Sequence, residues 1–326
     1  MNARELHDDA IIIDGLIVSN WNRDIFEDMR RGGLTAANCT CSVWEGFHDT
    51  MVNIGQWNRW FQDHGDLIVK ARTVADIRRA KADGKTAVIL GFQNTAAFED
   101  RIEFVEVFKD AGIGIAQITY NTQNMVGSGC YESTDSGLSD YGHEVVAEMN
   151  RVGILCDLSH VGPITSHDVI VASKKPVAYT HCLPAALKEH PRNKSDEQLR
   201  FIADHGGFIG VTMFTPFLKR GGESTIDDYV EAIDYIINVA GENRIGIGTD
   251  FTQGYGEPFF HWITHDKGYG HKLTDFGEIK FPDDLATIGD FPNLTAAMDR
   301  AGWSETRIRG VLGENWLRFL EDVWGA

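Results

Sequence analysis

Eight short runs of β-branched and small residues punctuate the 326-residue chain, most of them ending on small, polar or aromatic side chains. They occupy 10–16 (AIIIDGL), 36–44 (AANCTCSVW), 86–94 (TAVILGFQN), 114–121 (GIAQITYN), 153–160 (GILCDLSH), 176–184 (PVAYTHCLP), 207–214 (GFIGVTMF) and 244–251 (RIGIGTDF). Near-continuous apolar runs of this kind suit parallel strands covered on both faces. Between them, apolar residues recur at three- and four-residue spacing over 57–82, 102–111, 141–152, 164–173, 196–204 and 225–240, which predicts helices. Alternating strands and helices build parallel βαβ units, and eight strands close a (β/α)8 TIM barrel. A doubly wound open sheet is the competing arrangement, but no Gly-x-Gly-x-x-Gly follows any run. With no internal repeat and no low-complexity linker, one TIM-barrel domain over 1–326 is expected. It carries a long aromatic-rich insertion at about 252–293 and C-terminal helices at about 294–323.

Composition narrows the partners. Lys and Arg number 30 against 48 Asp and Glu, a formal charge of −18 with no basic cluster, so a phosphate backbone has nothing to bind. A small-molecule substrate is the expected partner, with no nucleic acid and no membrane, and homo-oligomer formation stays open. Cys39, Cys41, Cys130, Cys156 and Cys182 are scattered and odd in number, which is neither a disulfide framework nor a zinc-knuckle spacing. The charged start lacks a signal-peptide pattern and no apolar run is long enough to span a bilayer, so a soluble, cytoplasmic protein is expected.

In a parallel barrel the chemistry sits at the C-terminal ends of the strands. Here the fifth run ends Asp157-Leu-Ser-His160, the sixth carries Tyr179-Thr-His181, and the eighth ends Gly248-Thr-Asp250. Two imidazoles and a carboxylate from three strands converging on the mouth suit a divalent metal such as zinc. The carboxylate could equally take a proton from water. Each His could instead be a strand-end residue hydrogen-bonded to its neighbouring loop, and Asp157, inside a strand, suits a buried orienting role.

These residues resemble the membrane (renal-type) dipeptidase family, a branch of the amidohydrolase superfamily of metal-dependent barrels. The resemblance spans nearly the whole chain. It is carried by GLSDYG at 137–142, NRVGILCDLSH at 150–160, His181 with Arg192-Asn193 eleven residues on, IGIGTDF at 245–251 and the ending GVLGENWLRFL at 310–320. The resemblance implies that His160 and His181 ligate one zinc. It places Asp250 at the other zinc, where it serves proton transfer, and has Arg192 hold the substrate carboxylate, a task suited to a guanidinium fork. Asn193 joins Arg192 as a candidate for substrate binding.

The chain departs from that family pattern at three places. Where the family has Asp-Gly-His-x-Asp on its first strand, this sequence reads Asp14-Gly15-Leu16-Ile17-Val18. The metal-bridging glutamate is Gln93, and the fourth-strand histidine is Tyr120, a candidate for both catalysis and substrate binding. Leu16 and Val18 cannot ligate, and a neutral amide brings no charge to offset two cations. At most one zinc per chain is therefore expected, or none: the one site is His160 and His181, with Gln93 as a weak third ligand or with His261, His265 or His271 completing it, and Asp250 is the one matching ligand left at the other. Trp21, Trp44, Phe92, Tyr120, Tyr255, Phe259, Phe260 and Trp262, if they face the mouth, make an apolar wall suited to a cationic or methylated amine. The leading expectation is a dipeptidase-like metallohydrolase acting on a small peptide or amide that bears a carboxylate. The alternative is a barrel without the dinuclear centre that binds or converts a small amino-acid-like metabolite without being a peptidase.

Overall fold

The structure, a computed structural model, describes residues 2–277 and 279–325. Nine parallel strands run β1 Ile13–Ile17, β2 Ala36–Ser42, β3 Ile68–Lys70, β4 Thr86–Phe92, β5 Ile113–Gln117, β6 Leu155–Asp157, β7 Ala178–Cys182, β8 Phe208–Val211 and β9 Ile245–Ile247. Pairing of β1 with both β2 and β9, and of β2 with β4, closes eight of them into a (β/α)8 TIM barrel. Each of the eight sequence runs overlaps one barrel strand, with β1 and β5 reaching one residue outside theirs, Ile17 and Ile113. The strands are shorter than the runs, so Trp44, Asn121, His160, Phe214 and Phe251 emerge beyond strand ends at the mouth.

The additional strand, β3, corrects the helical reading of 57–82. That stretch divides into a helix Phe47–Asp63, the strand β3 and a helix Val74–Ala82. The break falls at His64-Gly65-Asp66, after which the buried Leu67 and Ile68 favour extension. The next helix restarts at a capping box, in which Thr73 and Asp76 satisfy each other's backbone N–H groups. β3 pairs only with the lower half of β4 and stays outside the ring. The insertion at 252–293 also has structure: a helix Glu257–Thr264, short 3-10 turns, and the start of the helix Phe291–Arg300.

The helices pack their apolar faces on the outside of the strands, while a second core fills the barrel. Ile13, Ala36, Ala87, Ile89, Ile115, Leu155, Ala178 and Phe208 pack together with Trp316, Phe319 and Leu320 of the C-terminal helix Asn315–Trp324. Trp316 donates its indole N–H to the Ile247 carbonyl at 2.9 Å and stacks 3.9 Å from Phe208. It needs Gly246, where a Cβ would come within 2.7 Å of its ring. Trp316→Ala is expected to cost about 3–5 kcal/mol by opening a cavity at the base of the barrel, measurable by urea unfolding.

His7 fastens the first helix, Ala3–Asp9, to the rest. Its Nε2 meets the Gly32 carbonyl at 2.9 Å and its Nδ1 meets Thr295 Oγ1 at 2.7 Å. Burial holds its pKa below the ordinary histidine value. The unfolded chain therefore takes up a proton near pH 6.5 that folded His7 resists, so stability falls as pH drops from 7 towards 5. A His7→Gln variant should show a shallower fall in melting temperature over that range than the parent, by calorimetry.

Candidate active site at the strand ends

Two matching clamps set the polar residues of the mouth. Asp157 on β6 accepts from the backbone N–H of Ser159 at 3.0 Å and of Thr180 at 3.1 Å, and from the Thr180 hydroxyl at 2.6 Å. Asp14 on β1 does the same to the backbone N–H of Leu16 at 3.1 Å and of Thr249 at 2.8 Å, and to the Thr249 hydroxyl. Each held threonine immediately precedes a mouth residue, His181 in one case and Asp250 in the other. Asp157 thus takes the orienting role its in-strand position suggested, and Asp14 mirrors it across the barrel. Burial raises both carboxyls, that of Asp14 to about 7, against the pull of these hydrogen bonds. Gly248 is required between them, because a Cβ there would lie 1.9 Å from the Thr180 carbonyl oxygen.

The two histidines meet directly. His160 Nε2 lies 2.9 Å from His181 Nε2, while His160 Nδ1 contacts Asn121 Oδ1 at 2.7 Å and His181 Nδ1 contacts Thr180 Oγ1 at 2.8 Å. Burial drives both imidazoles well below the ordinary histidine value, and Arg192 adds to the effect. Both are therefore neutral near pH 7, one donating across the shared contact and the other accepting. The Tyr120 ring stacks on His160 at 4.2 Å, and Trp44 meets Tyr120 edge-on at 5.0 Å.

Arg192 is 1% exposed. Its guanidinium donates to the carbonyls of Ser159 and His181, lies 5.3 Å over the Phe217 ring, and has Nε buried without a partner. No carboxylate of the described residues forms an ion pair with it. Lys194, also buried, donates to the Val161 carbonyl at 3.1 Å, and burial lowers it to about 8.

Asp250 emerges from β9 with a left-handed backbone (φ 61°), its N–H donating to the Leu16 carbonyl at 2.9 Å. Burial pushes its carboxyl up to about 7; Arg192 pulls it down, while Asp14 and Asp157 push it further up. A small cavity of about 20 Å³ brings Asp250 and Arg192 together with His160, Gln93, Tyr120 and Asn121. Its walls are Val18, Val43, Tyr131, Phe214, Phe217, Phe259, Ile263 and Phe276.

Several expected residues lie elsewhere. Asn193 is outside the cavity lining, its amide N–H₂ donating to the Lys188 and Phe217 carbonyls at 2.8 and 3.0 Å, which fixes the loop that carries Arg192. His181 stands behind His160. Among the aromatics, Tyr120 and Phe259 reach the cavity, whereas Phe92 packs against Phe98 and Phe108. His261 and His265 stack on each other at 3.9 Å, and neither they nor His271 line the cavity. Cys156 and Cys182 are buried free thiols raised to about 12 by burial, which fits a packing role. Asn121, Tyr131, Phe214, Phe217 and Phe276 line the site without having been singled out. Asn121 and Phe214 carried a signal, as the last residues of the fourth and seventh runs.

The donor set is a poor match for zinc. Among the described residues no three His, Cys, Asp or Glu side chains form a group that could hold a metal. His160 and His181 offer two neutral nitrogens. Gln93 adds only an amide whose Nε2 already donates to Thr40 Oγ1 at 3.0 Å. Catalytic zinc sites use three good protein ligands and an open position. The residues present therefore do not fit a resident two-zinc centre, and no step is derived through one.

Comparison with known proteins agrees with this architecture. The family model for membrane dipeptidase (peptidase family M19) matches residues 18–261 and 273–325. An amidohydrolase of Pseudomonas aeruginosa is 63% identical over the full length of both chains, with a TM-score of 0.99. A metallopeptidase of Rhodobacter sphaeroides, solved with a phosphinate mimic of the dipeptide L-Ala-D-Ala, shares the fold at a TM-score of 0.82 and 21% identity, over 97% of this chain and all of that one. An uncharacterized dipeptidase of Schizosaccharomyces pombe is 30% identical over 74% of this chain, which spans only 53% of that relative. The chain belongs to the membrane dipeptidase family.

Proposed function

We propose that this chain, as a single barrel domain, is a hydrolase cleaving a small peptide-like or amide substrate that bears a carboxylate, with an altered metal site that holds at most one zinc. The observation that carries the reading is the buried Arg192 guanidinium, which has no carboxylate partner among the described residues and lines the same cavity as Asp250. A buried cation of this kind is stabilised by an anionic ligand that restores the missing charge. Arg192 holds the substrate carboxylate. Asp250, across the cavity, takes the proton from the attacking water. Tyr120, whose hydroxyl is pushed up by burial and stays protonated, donates to the substrate carbonyl. His160 is fixed in place by Tyr120, Asn121 and His181. The metal site is altered because Leu16, Val18 and Gln93 stand where the family's ligands are expected, so simple dipeptides are cleaved slowly beside a member with the full set.

The test is a panel of dipeptides, L-Ala-D-Ala among them, and N-acyl amino acids, each assayed beside its C-terminal amide. Free acids are expected to exceed their amides by about a hundredfold in kcat/KM, and Arg192→Met to erase the difference through KM. Equal rates on acids and amides would remove Arg192 from substrate binding. A panel with no turnover at all would end the hydrolase reading.

A further inference from the structure

We propose that the groove beside the cavity is a second subsite, built for an organic cation with apolar substituents. The inference rests on the hydrolase reading only in making this cation an arm of the substrate. The open groove holds about 250 Å³ between the β2 loop, the helix Phe47–Asp63 and the insertion helix Glu257–Thr264. Trp21, Trp57, Trp60, Tyr255 and Trp262 line it together with one carboxylate, Glu45. Among the described residues no Lys, Arg or His contributes to its lining.

Four of these rings are fixed by their neighbours. Trp57 lies 5.1 Å from Trp21, tilted by 58°, and 4.9 Å edge-on to Trp60, while Tyr255 stacks on Phe259 at 3.7 Å. Trp57 is buried behind the others, and the part-exposed Trp21, Trp60, Tyr255 and Trp262 offer their ring quadrupoles to one space, which attracts a cation more than a neutral group. Glu45 is held by the backbone N–H of Val43 at 2.7 Å and by Asn53 at 3.4 Å. Its charge reaches the Tyr255 hydroxyl, which it raises together with burial. A neutral occupant would cover the part-exposed Glu45 and leave its charge unpaired, whereas a cation would pair with both the carboxylate and the rings.

The groove adjoins the cavity, and Val18, Val43 and Phe259 line both. On the hydrolase reading, a substrate with its carboxylate on Arg192 passes this shared wall and places a cationic end among the indoles. The charges along this path run from Arg192 through Asp250 to Glu45, which selects a zwitterion with its positive end outermost.

The experiment uses the whole protein, tryptophan fluorescence, and two probes of similar shape: tetramethylammonium chloride and the neutral neopentyl alcohol. Tetramethylammonium is expected to give a saturable change and to bind about tenfold more tightly than the alcohol. Glu45→Gln should weaken the cation about fivefold and leave the alcohol unchanged, and Trp60→Leu should weaken the cation by a similar factor, with folding checked by circular dichroism. No saturable change, equal affinity for the two probes, or an unaltered Glu45→Gln variant would each overturn the proposal. The titration needs no turnover, so it gives its answer whether or not the hydrolase assays succeed. Where hydrolysis is found, a substrate with a trimethylammonium arm should show a KM about tenfold below its tert-butyl counterpart, and equal KM values would remove the groove from substrate selection.

Discussion

Asp250→Asn is expected to lower kcat/KM by about 10²–10⁴-fold, the range for removing a positioned general base, with little change in stability. The two halves of that expectation have separate causes. Asparagine has the same shape and accepts a left-handed backbone, so the φ of 61° and the N–H bond to Leu16 survive. The Asp250 carboxylate accepts no hydrogen bond from the described residues, so the exchange removes charge and basicity without breaking a structural contact. Thr249, clamped by Asp14, keeps the strand end in place. The loss should fall on kcat with KM nearly constant, because Arg192 and not Asp250 holds the carboxylate. A folded variant with wild-type kcat would show that another group accepts the proton.

The same strand ends explain what the sequence disclosed and what it hid. Parallel strands buried on both faces write themselves as apolar runs, so the barrel and the places where His160, His181 and Asp250 leave it were legible. β3 was not, since three residues pairing with one edge of β4 leave no period of their own inside a helical pattern. The aromatic wall divided for a similar reason. Phe92 and Phe259 look alike in sequence, but alternation along β4 turns Phe92 outward onto Phe98 and Phe108, while Phe259 enters from the insertion helix. Phe217 and Phe276 reach the cavity through tertiary packing that no local pattern announces. Asn193 neighbours Arg192 in sequence yet serves the loop backbone, because two carbonyls lie within reach of its amide and the cavity does not.

The first strand offers the second large effect. Leu16, Val18 and Asp250 are neighbours across the β1–β9 seam: the Asp250 N–H donates to the Leu16 carbonyl at 2.9 Å, and the Val18 N–H donates to the Phe251 carbonyl at 3.0 Å. Leu16→His, Val18→Asp and Gln93→Glu together would place an imidazole and a new carboxylate beside Asp250. They would also give the third wall of the cavity a charged oxygen in an isosteric frame. Three good ligands then become available on that side, and the glutamate supplies the negative charge that glutamine cannot. Zinc content by mass spectrometry is expected to rise from at most one ion per chain to about two. Hydrolysis of L-Ala-D-Ala should rise with it, while Tyr120 in place of a histidine keeps the rate below that of a full family member. Added zinc should raise the melting temperature of the triple variant more than that of the parent, because an ion bound only by the folded state stabilises it by mass action. A parent protein that already holds two zinc ions would contradict the altered-site account. So would a folded triple variant that gains none, since the apolar β1 side chains would then not be what keeps the metal away.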